Sequence, residues 1–101
     1  MHAPRVLVLG GSGAVGRALT ALLADAGVPV HAASRRPPAV LPAGSRFVGL
    51  DIRDPAALAD AVARARVVVD ASGLDDPSVA TAAVDAGVHL VDISADTAHV
   101  D

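Results

Sequence analysis

Short apolar runs alternate with helical segments along the 101 residues, and this alternation limits the possible folds more than any other feature. The apolar runs are rich in β-branched residues and have the length of strands, whereas the segments between them repeat apolar residues at helical spacing. The pattern predicts strands at residues 5–9, 28–34, 47–50, 67–71 and 89–93. It predicts helices at residues 14–26, 55–65 and 77–86.

The ends of the predicted helices carry matching local signals. Asp54-Pro55 and Asp76-Pro77 each place an aspartate where it can cap free N–H groups, with proline at the first helical position. The Asp-Ala-Gly-Val segments at residues 25–28 and 85–88 each put glycine just past a helix and start a strand. We interpret these segments as one local solution used twice, and not as a repeat array.

Strands joined through helices by right-handed crossovers form parallel sheets with helices on both faces. The series therefore predicts a Rossmann-type doubly wound parallel α/β sheet of five strands in the order 3-2-1-4-5, with three helices, as one domain over residues 1–101. In such sheets, ligands bind outside the carboxyl ends of the strands, where the strand order reverses. The residues that follow the predicted strands are therefore the candidates for a functional site.

A glycine-rich segment links the first predicted strand to the first helix. It fits G-x-G-x-x-G from Gly11 and also G-x-x-G-x-x-G from Gly10, so the glycine register leaves the subfamily open. Glycines at this position let backbone N–H groups and the helix N-terminus approach a pyrophosphate. The segment predicts a nicotinamide dinucleotide site made of Gly10, Gly11, Ser12, Gly13, Ala14, Val15 and Gly16. The alternative is a glycine-rich turn that binds nothing.

The end of the second predicted strand indicates which dinucleotide is bound. An acidic residue there would accept a hydrogen bond from the ribose 2′-hydroxyl and repel a 2′-phosphate, but Ser34, Arg35 and Arg36 occupy this position. The Ser34 hydroxyl and the two guanidinium groups suit a phosphate. We therefore predict NADP(H) as the cofactor. The alternative is that both arginines are solvated surface residues.

Two further strand ends supply candidate cofactor contacts. Asp51 would accept a hydrogen bond from the adenine amino group while Ile52 packs on the ring, although a turn or cap role fits Asp51 equally well. The small residues Ala71, Ser72 and Gly73 would let the backbone pass beside the cofactor ribose, although a plain turn also explains them.

Several function classes are excluded by residues that the chain lacks. It has no lysine, tyrosine, tryptophan or cysteine, so a Tyr-x-x-x-Lys dehydrogenase site, a Schiff-base lysine and a thiol nucleophile cannot be built, and no catalytic residue is assigned. The scattered histidines predict no metal site. A formal charge of −3 and a single aromatic residue argue against nucleic acid, and no apolar run has membrane length. We expect a cytoplasmic protein.

Together, the glycine segment, residues 33–35, residues 51–54 and the run Ala-Gly-Val-His-Leu-Val-Asp-Ile-Ser at residues 86–94 resemble the amino-terminal NADP-binding domain of the saccharopine dehydrogenase-like family. The resemblance implies hydride transfer by a larger oxidoreductase. In that family, a carboxyl-terminal domain supplies most substrate contacts and the dimer surface. The chain alone is therefore not expected to be active.

Two other functional interpretations stay open. One is a non-catalytic NADP-sensing or interaction module, and the other is a fragment of an atypical short-chain dehydrogenase or epimerase. The expected partners are the dinucleotide and either a carboxyl-terminal substrate domain or a second copy of the chain, because such a half-domain would leave apolar surface near the third helix and fifth strand.

Overall fold

The computed structural model describes residues 5–10, 13–73 and 77–93, in which strands and helices alternate as predicted. In chain order the elements are β1 (Val6–Leu9), α1 (Ala14–Asp25), β2 (Val30–Ser34), β3 (Ser45–Gly49), α2 (Pro55–Ala63), β4 (Val67–Asp70), α3 (Pro77–Ala86) and β5 (His89–Asp92). All neighbouring strands pair in parallel, in the order β3-β2-β1-β4-β5. The predicted Rossmann-type fold is confirmed.

Two strand starts differ from the prediction for local reasons. β3 begins at Ser45, two residues early, because the Ser45 amide and hydroxyl both donate to the Pro42 carbonyl, at 3.1 and 2.5 Å, and this turn starts the strand. β2 begins at Val30, two residues late, because the Val28 amide is still bonded to the end of α1. Where the other element bounds differ from the prediction, they do so by one or two residues.

The predicted helix signals form where the structure describes them. The Asp54 carboxylate accepts a hydrogen bond from the Ala57 amide at 3.2 Å and caps α2, and Pro55 is its first residue. Asp76, the corresponding residue before α3, lies outside the described residues. These contacts explain why α2 starts where the sequence predicts it.

Both Asp-Ala-Gly-Val segments end their helices with the same pair of backbone hydrogen bonds. After α1, the Gly27 amide donates to the Ala24 carbonyl at 3.0 Å and the Val28 amide to the Leu23 carbonyl at 2.9 Å. The equivalent bonds close α3 at residues 83–88, at 3.1 and 2.9 Å. This is the Schellman arrangement, which satisfies carbonyl groups that a helix end would otherwise leave unpaired.

Apolar clusters on both faces hold the sheet between the helices. On one face, α2 and α3 contribute the buried Leu58, Val62 and Val79, and on the other, α1 packs against Val8 and Val30. The faces are therefore occupied, and the carboxyl edge of the sheet is left for ligands. No helix among the described residues is both long enough and apolar enough to span a bilayer.

Removing the carboxylate that caps α2 should lower the stability of the folded chain. We expect Asp54→Ala to lower the free energy of unfolding by about 1 kcal/mol, because the Ala57 amide loses its partner. Asp54→Asn keeps an acceptor oxygen and should stay within a few tenths of the parent. Urea unfolding followed by circular dichroism measures both, and equal stability of the two variants would contradict the cap.

Candidate functional site

A cleft of about 380 Å³ lies at the carboxyl edge of the sheet. It is lined by Gly10, Gly13, Ala33, Ser34, Arg35, Arg36, Ile52, Ala71 and Ser72. The cleft therefore brings together residues that follow β1, β2, β3 and β4, which are far apart in the sequence. Ala33 is the lining residue that the sequence analysis missed, because it reads as an ordinary strand residue.

Gly10, which follows β1, packs against the backbone that follows β4 at this edge of the sheet. Its φ is +78°, and a Cβ atom here would lie 2.7 Å from the Ser72 Cα atom and 2.8 Å from the Ala71 carbonyl oxygen. The Gly10 amide donates to the Ala33 carbonyl at 3.0 Å, while its own carbonyl accepts from the Gly13 amide at 3.1 Å. Glycine is therefore required at position 10 by the approach of the neighbouring backbone, independently of any ligand.

Helix α1 starts at the cleft without a side-chain cap. Gly13 is its extended N-cap residue, and the first turn contains no acidic side chain. Arg17 is the first residue to donate back into the helix, to the Gly13 carbonyl at 2.8 Å. The amides of the predicted contacts Ala14, Val15 and Gly16 precede that bond, and such amides have no intrahelical partner. The predicted contacts Gly11 and Ser12 lie outside the described residues.

Ser34 shapes the turn that carries the two arginines. Its hydroxyl donates to the Arg36 carbonyl at 2.5 Å, and its carbonyl accepts from the Leu50 amide at 2.9 Å. Arg35 and Arg36 are exposed, line the cleft and form no ion pair within the part of the chain that the structure describes. The described lining residues include no carboxylate, so this cleft is cationic.

Of the two predicted adenine contacts, Ile52 lines the cleft and Asp51 does not. The Asp51 carboxylate accepts from the Arg53 amide at 2.9 Å and from its Nε atom at 3.2 Å. These bonds, the side-chain one first, lower the pKa of Asp51 from its ordinary value. An adenine amino group would therefore share this carboxylate with Arg53.

Asp70 is a buried acid that the sequence analysis did not single out. It ends β4 with 5% of its surface exposed, and its Oδ1 atom accepts from the Ser72 amide at 3.0 Å and from the Ser72 hydroxyl at 2.6 Å. Asp70 thus holds the loop that packs against Gly10, while the predicted contact Gly73 is exposed and does not line the cleft. The sequence does carry a signal for this residue, because Asp70 is the single acid at the end of a run of valines, where a charged side chain needs a specific partner.

No group of three histidine, cysteine, aspartate or glutamate side chains within residues 5–10, 13–73 and 77–93 could hold a metal ion. The cleft offers a ligand the backbone at Gly10 and Gly13, the two guanidinium groups and the apolar Ile52. Such a set suits a ligand that has both anionic groups and a flat apolar ring.

The two loop glycines allow a matched test of the close approach. Gly73 has a similar φ of +73°, but no described residue lies within 4 Å of the position that its Cβ would take, so Gly73→Ala should lower the free energy of unfolding only by the conformational strain, about 1–2 kcal/mol. Gly10→Ala adds a backbone clash and should lose about 1–3 kcal/mol more. Denaturant unfolding measures both, and equal losses would show that the Gly10 contact is unimportant.

Removing the Asp70 carboxylate should loosen its loop. We expect Asp70→Ala to lower the free energy of unfolding by about 1–3 kcal/mol and to speed hydrogen exchange at the Ser72 amide, because both bonds to Ser72 are lost. Asp70→Asn keeps an acceptor for the amide and should lose less. Unchanged Ser72 exchange in the alanine variant would show that Asp70 does not hold the loop.

Residues 6–96 match the NAD dependent epimerase/dehydratase family. A 73-residue stretch is 45% identical to dTDP-6-deoxy-L-talose 4-dehydrogenase (NAD(P)(+)) from Kitasatospora kifunensis and covers 68% of this chain and 23% of that protein. The chain thus spans less than a quarter of the length of this curated relative.

Solved structures show the same architecture. A Rossmann-fold NAD(P)-binding family protein from Shigella flexneri superposes with a TM-score of 0.76 at 26% identity, covering 88% of this chain and 50% of that one. The apo saccharopine dehydrogenase (L-Glu forming) of Saccharomyces cerevisiae gives a TM-score of 0.72 at 28% identity, covering 89% of this chain and 21% of that one. The predicted resemblance to saccharopine dehydrogenases thus has a structural counterpart, but the family match is a different one. The chain belongs to the NAD dependent epimerase/dehydratase family and has its Rossmann-type NAD(P)-binding fold.

Proposed function

We propose that the chain is the cofactor domain of an oxidoreductase and that it binds NADP(H) in preference to NAD(H). The observation that carries this proposal is that the guanidinium groups of Arg35 and Arg36 are exposed in the cleft beside Gly10 and form no ion pair with any described residue. A ribose 2′-phosphate is the part of NADP(H) that such a pair would recognise. The name of the Kitasatospora relative covers both nicotinamide cofactors and does not choose between them.

The pyrophosphate would bind at the start of α1. The uncapped first turn offers the amides of Ala14, Val15 and Gly16, and the dipole of a helix favours negative charge at this end. We propose that Gly11 and Ser12 contribute to the same group. Gly10 and Gly13, which line the cleft, have no side chains that could cover this turn.

The remaining predicted contacts would position the two ends of the dinucleotide. Ile52 would pack on the adenine ring, with Asp51 accepting from its amino group in competition with Arg53. Ala71, Ser72 and Gly73, held by Asp70, would pass beside the ribose on the nicotinamide side. When bound, the nicotinamide supplies hydride transfer, and the role of these residues is to bind and orient it.

A saccharopine dehydrogenase-type enzyme is the second candidate for the whole protein. It is favoured by the residue pattern at 86–94 and by the likeness to the yeast structure. In a dehydrogenase of the Tyr-x-x-x-Lys type, the catalytic pair would lie outside these residues, because the chain contains neither tyrosine nor lysine. A saccharopine dehydrogenase-type enzyme would likewise take its substrate contacts from another domain. A non-catalytic NADP-sensing module would use the same cleft.

Cofactor titration tests the NADP(H) preference. We expect NADPH to bind more tightly than NADH, and Arg35→Ala to weaken NADPH binding about tenfold to a hundredfold while leaving NADH within about twofold, because only NADPH carries the 2′-phosphate. Arg66→Ala removes an equal charge at the opposite end of the sheet and is the control. Quenching of nicotinamide fluorescence measures each affinity, and equal losses for both cofactors would overturn the phosphate role.

A further inference from the structure

A second cavity, of about 280 Å³, lies between α2 and the sheet, away from the cleft at the carboxyl edge. Its floor is formed by apolar residues in the strands or next to them, among them Leu7, Val48 and Leu50. None of its lining residues belongs to the cleft. The cavity is therefore a separate place where a ligand could bind.

The composition of α2 explains why this space is not filled. The long side chains of the helix, Leu58 and Val62, are fully buried in the core. Towards the cavity, the segment presents the small side chains of Ala57, Ala61 and Ala65, which are spaced four residues apart, while the longer Asp60 and Arg64 are exposed at its rim. A cavity bounded by apolar side chains on both sides suits an apolar group.

The rim of the cavity is cationic. Arg5 lines it, and one of its terminal nitrogens donates to the Arg64 carbonyl, which fixes the position of the guanidinium group. The Arg64 side chain pairs with Asp60 at 3.3 Å, so the carboxylate at the rim is already neutralised. In the part of the chain that the structure describes, Arg5 itself has no carboxylate partner.

Two more basic residues lie on this face of the sheet. His31 lines the cavity beside Leu7, and Arg46 is paired with His31 in the register of the neighbouring strand, on the same face of the sheet. Partial burial, followed by the positive charges of Arg5 and Arg46, lowers the pKa of His31 from its ordinary value, which favours the neutral imidazole. The positive charge offered to a ligand in this cavity is therefore that of Arg5.

We propose that this cavity binds a small carboxylate with an apolar body. The carboxylate would accept paired hydrogen bonds from the guanidinium group of Arg5, and the body would lie between the alanines of α2 and the strand floor. The volume is near the lower limit for ligand pockets, which favours a single ring or a short chain over a peptide. A dianionic phosphate is less suitable, because Asp60 and Arg64 balance each other and the single remaining charge of Arg5 in the described lining matches a monoanion.

Benzoate and its uncharged analogue benzamide test both parts of this proposal. Followed by two-dimensional NMR of the chain, benzoate should bind saturably, shift the amides of Leu7, Val48 and Ala61, and bind at least about tenfold more tightly than benzamide, since an ionic hydrogen-bonded pair is lost. Phenyl phosphate should bind more weakly than benzoate. Equal affinity for benzoate and benzamide, tighter binding of phenyl phosphate, or shifts confined to the carboxyl edge would each overturn the proposal.

Three variants separate the roles of charge and space. Arg5→Gln should weaken benzoate about tenfold and leave benzamide unchanged, whereas Ala61→Leu should fill the cavity and abolish binding of both. Arg17→Gln, on the other face of the sheet, removes the same charge and should leave benzoate binding unchanged. A dispersed amide spectrum of Ala61→Leu shows that the variant is folded, and benzoate binding by that folded variant would place the ligand elsewhere and overturn the proposal.

Discussion

The close approach of the Gly10 backbone to the Ala71–Ser72 backbone is the contact on which the carboxyl edge of this sheet depends. It joins the ends of β1 and β4, the two strands between which the strand order reverses. The Ala71 amide continues the ladder by donating to the Leu9 carbonyl at 2.9 Å. Because the two loops touch through backbone atoms, any side chain at position 10 would have to separate them.

Asp70 supports this contact from within the core. A buried carboxylate is costly unless its oxygens accept hydrogen bonds, and Asp70 satisfies that need with the amide and hydroxyl of Ser72. The same bonds fix the loop against which Gly10 packs. Asp70 at the end of β4 and Gly10 after β1 therefore contact the same turn, at Ala71 and Ser72: Asp70 accepts its hydrogen bonds, and Gly10 packs against its backbone.

Charge is distributed so that the cleft favours an anion. Asp51 and Asp70 are the carboxylates next to lining residues in the sequence. Asp51 forms an ion pair with Arg53, and Asp70 accepts a hydrogen bond from the Ser72 hydroxyl. Arg35 and Arg36 form no ion pair among the described residues, and the Asp51 carboxylate is already bonded to Arg53, whose side-chain hydrogen bond lowers the Asp51 pKa most, while the charge of Arg35 also lowers it. Membership in the epimerase/dehydratase family and this charge arrangement are independent observations, and both agree with a nicotinamide dinucleotide.

The sequence by itself determined the elements and their order, because helical and strand periodicities, proline starts and glycine ends are local signals. It also determined the parallel topology, since each crossover leaves little choice of hand. Even the Asp51–Arg53 pair is local and could have been read from the sequence. The contacts between distant residues appear in the tertiary structure alone: it placed Ser72 against Gly10, gave Asp70 its burial and set Arg5 and His31 around one cavity. These contacts join residues distant in the chain, and they depend on strand register and on which face of the sheet each side chain occupies, which no local pattern encodes.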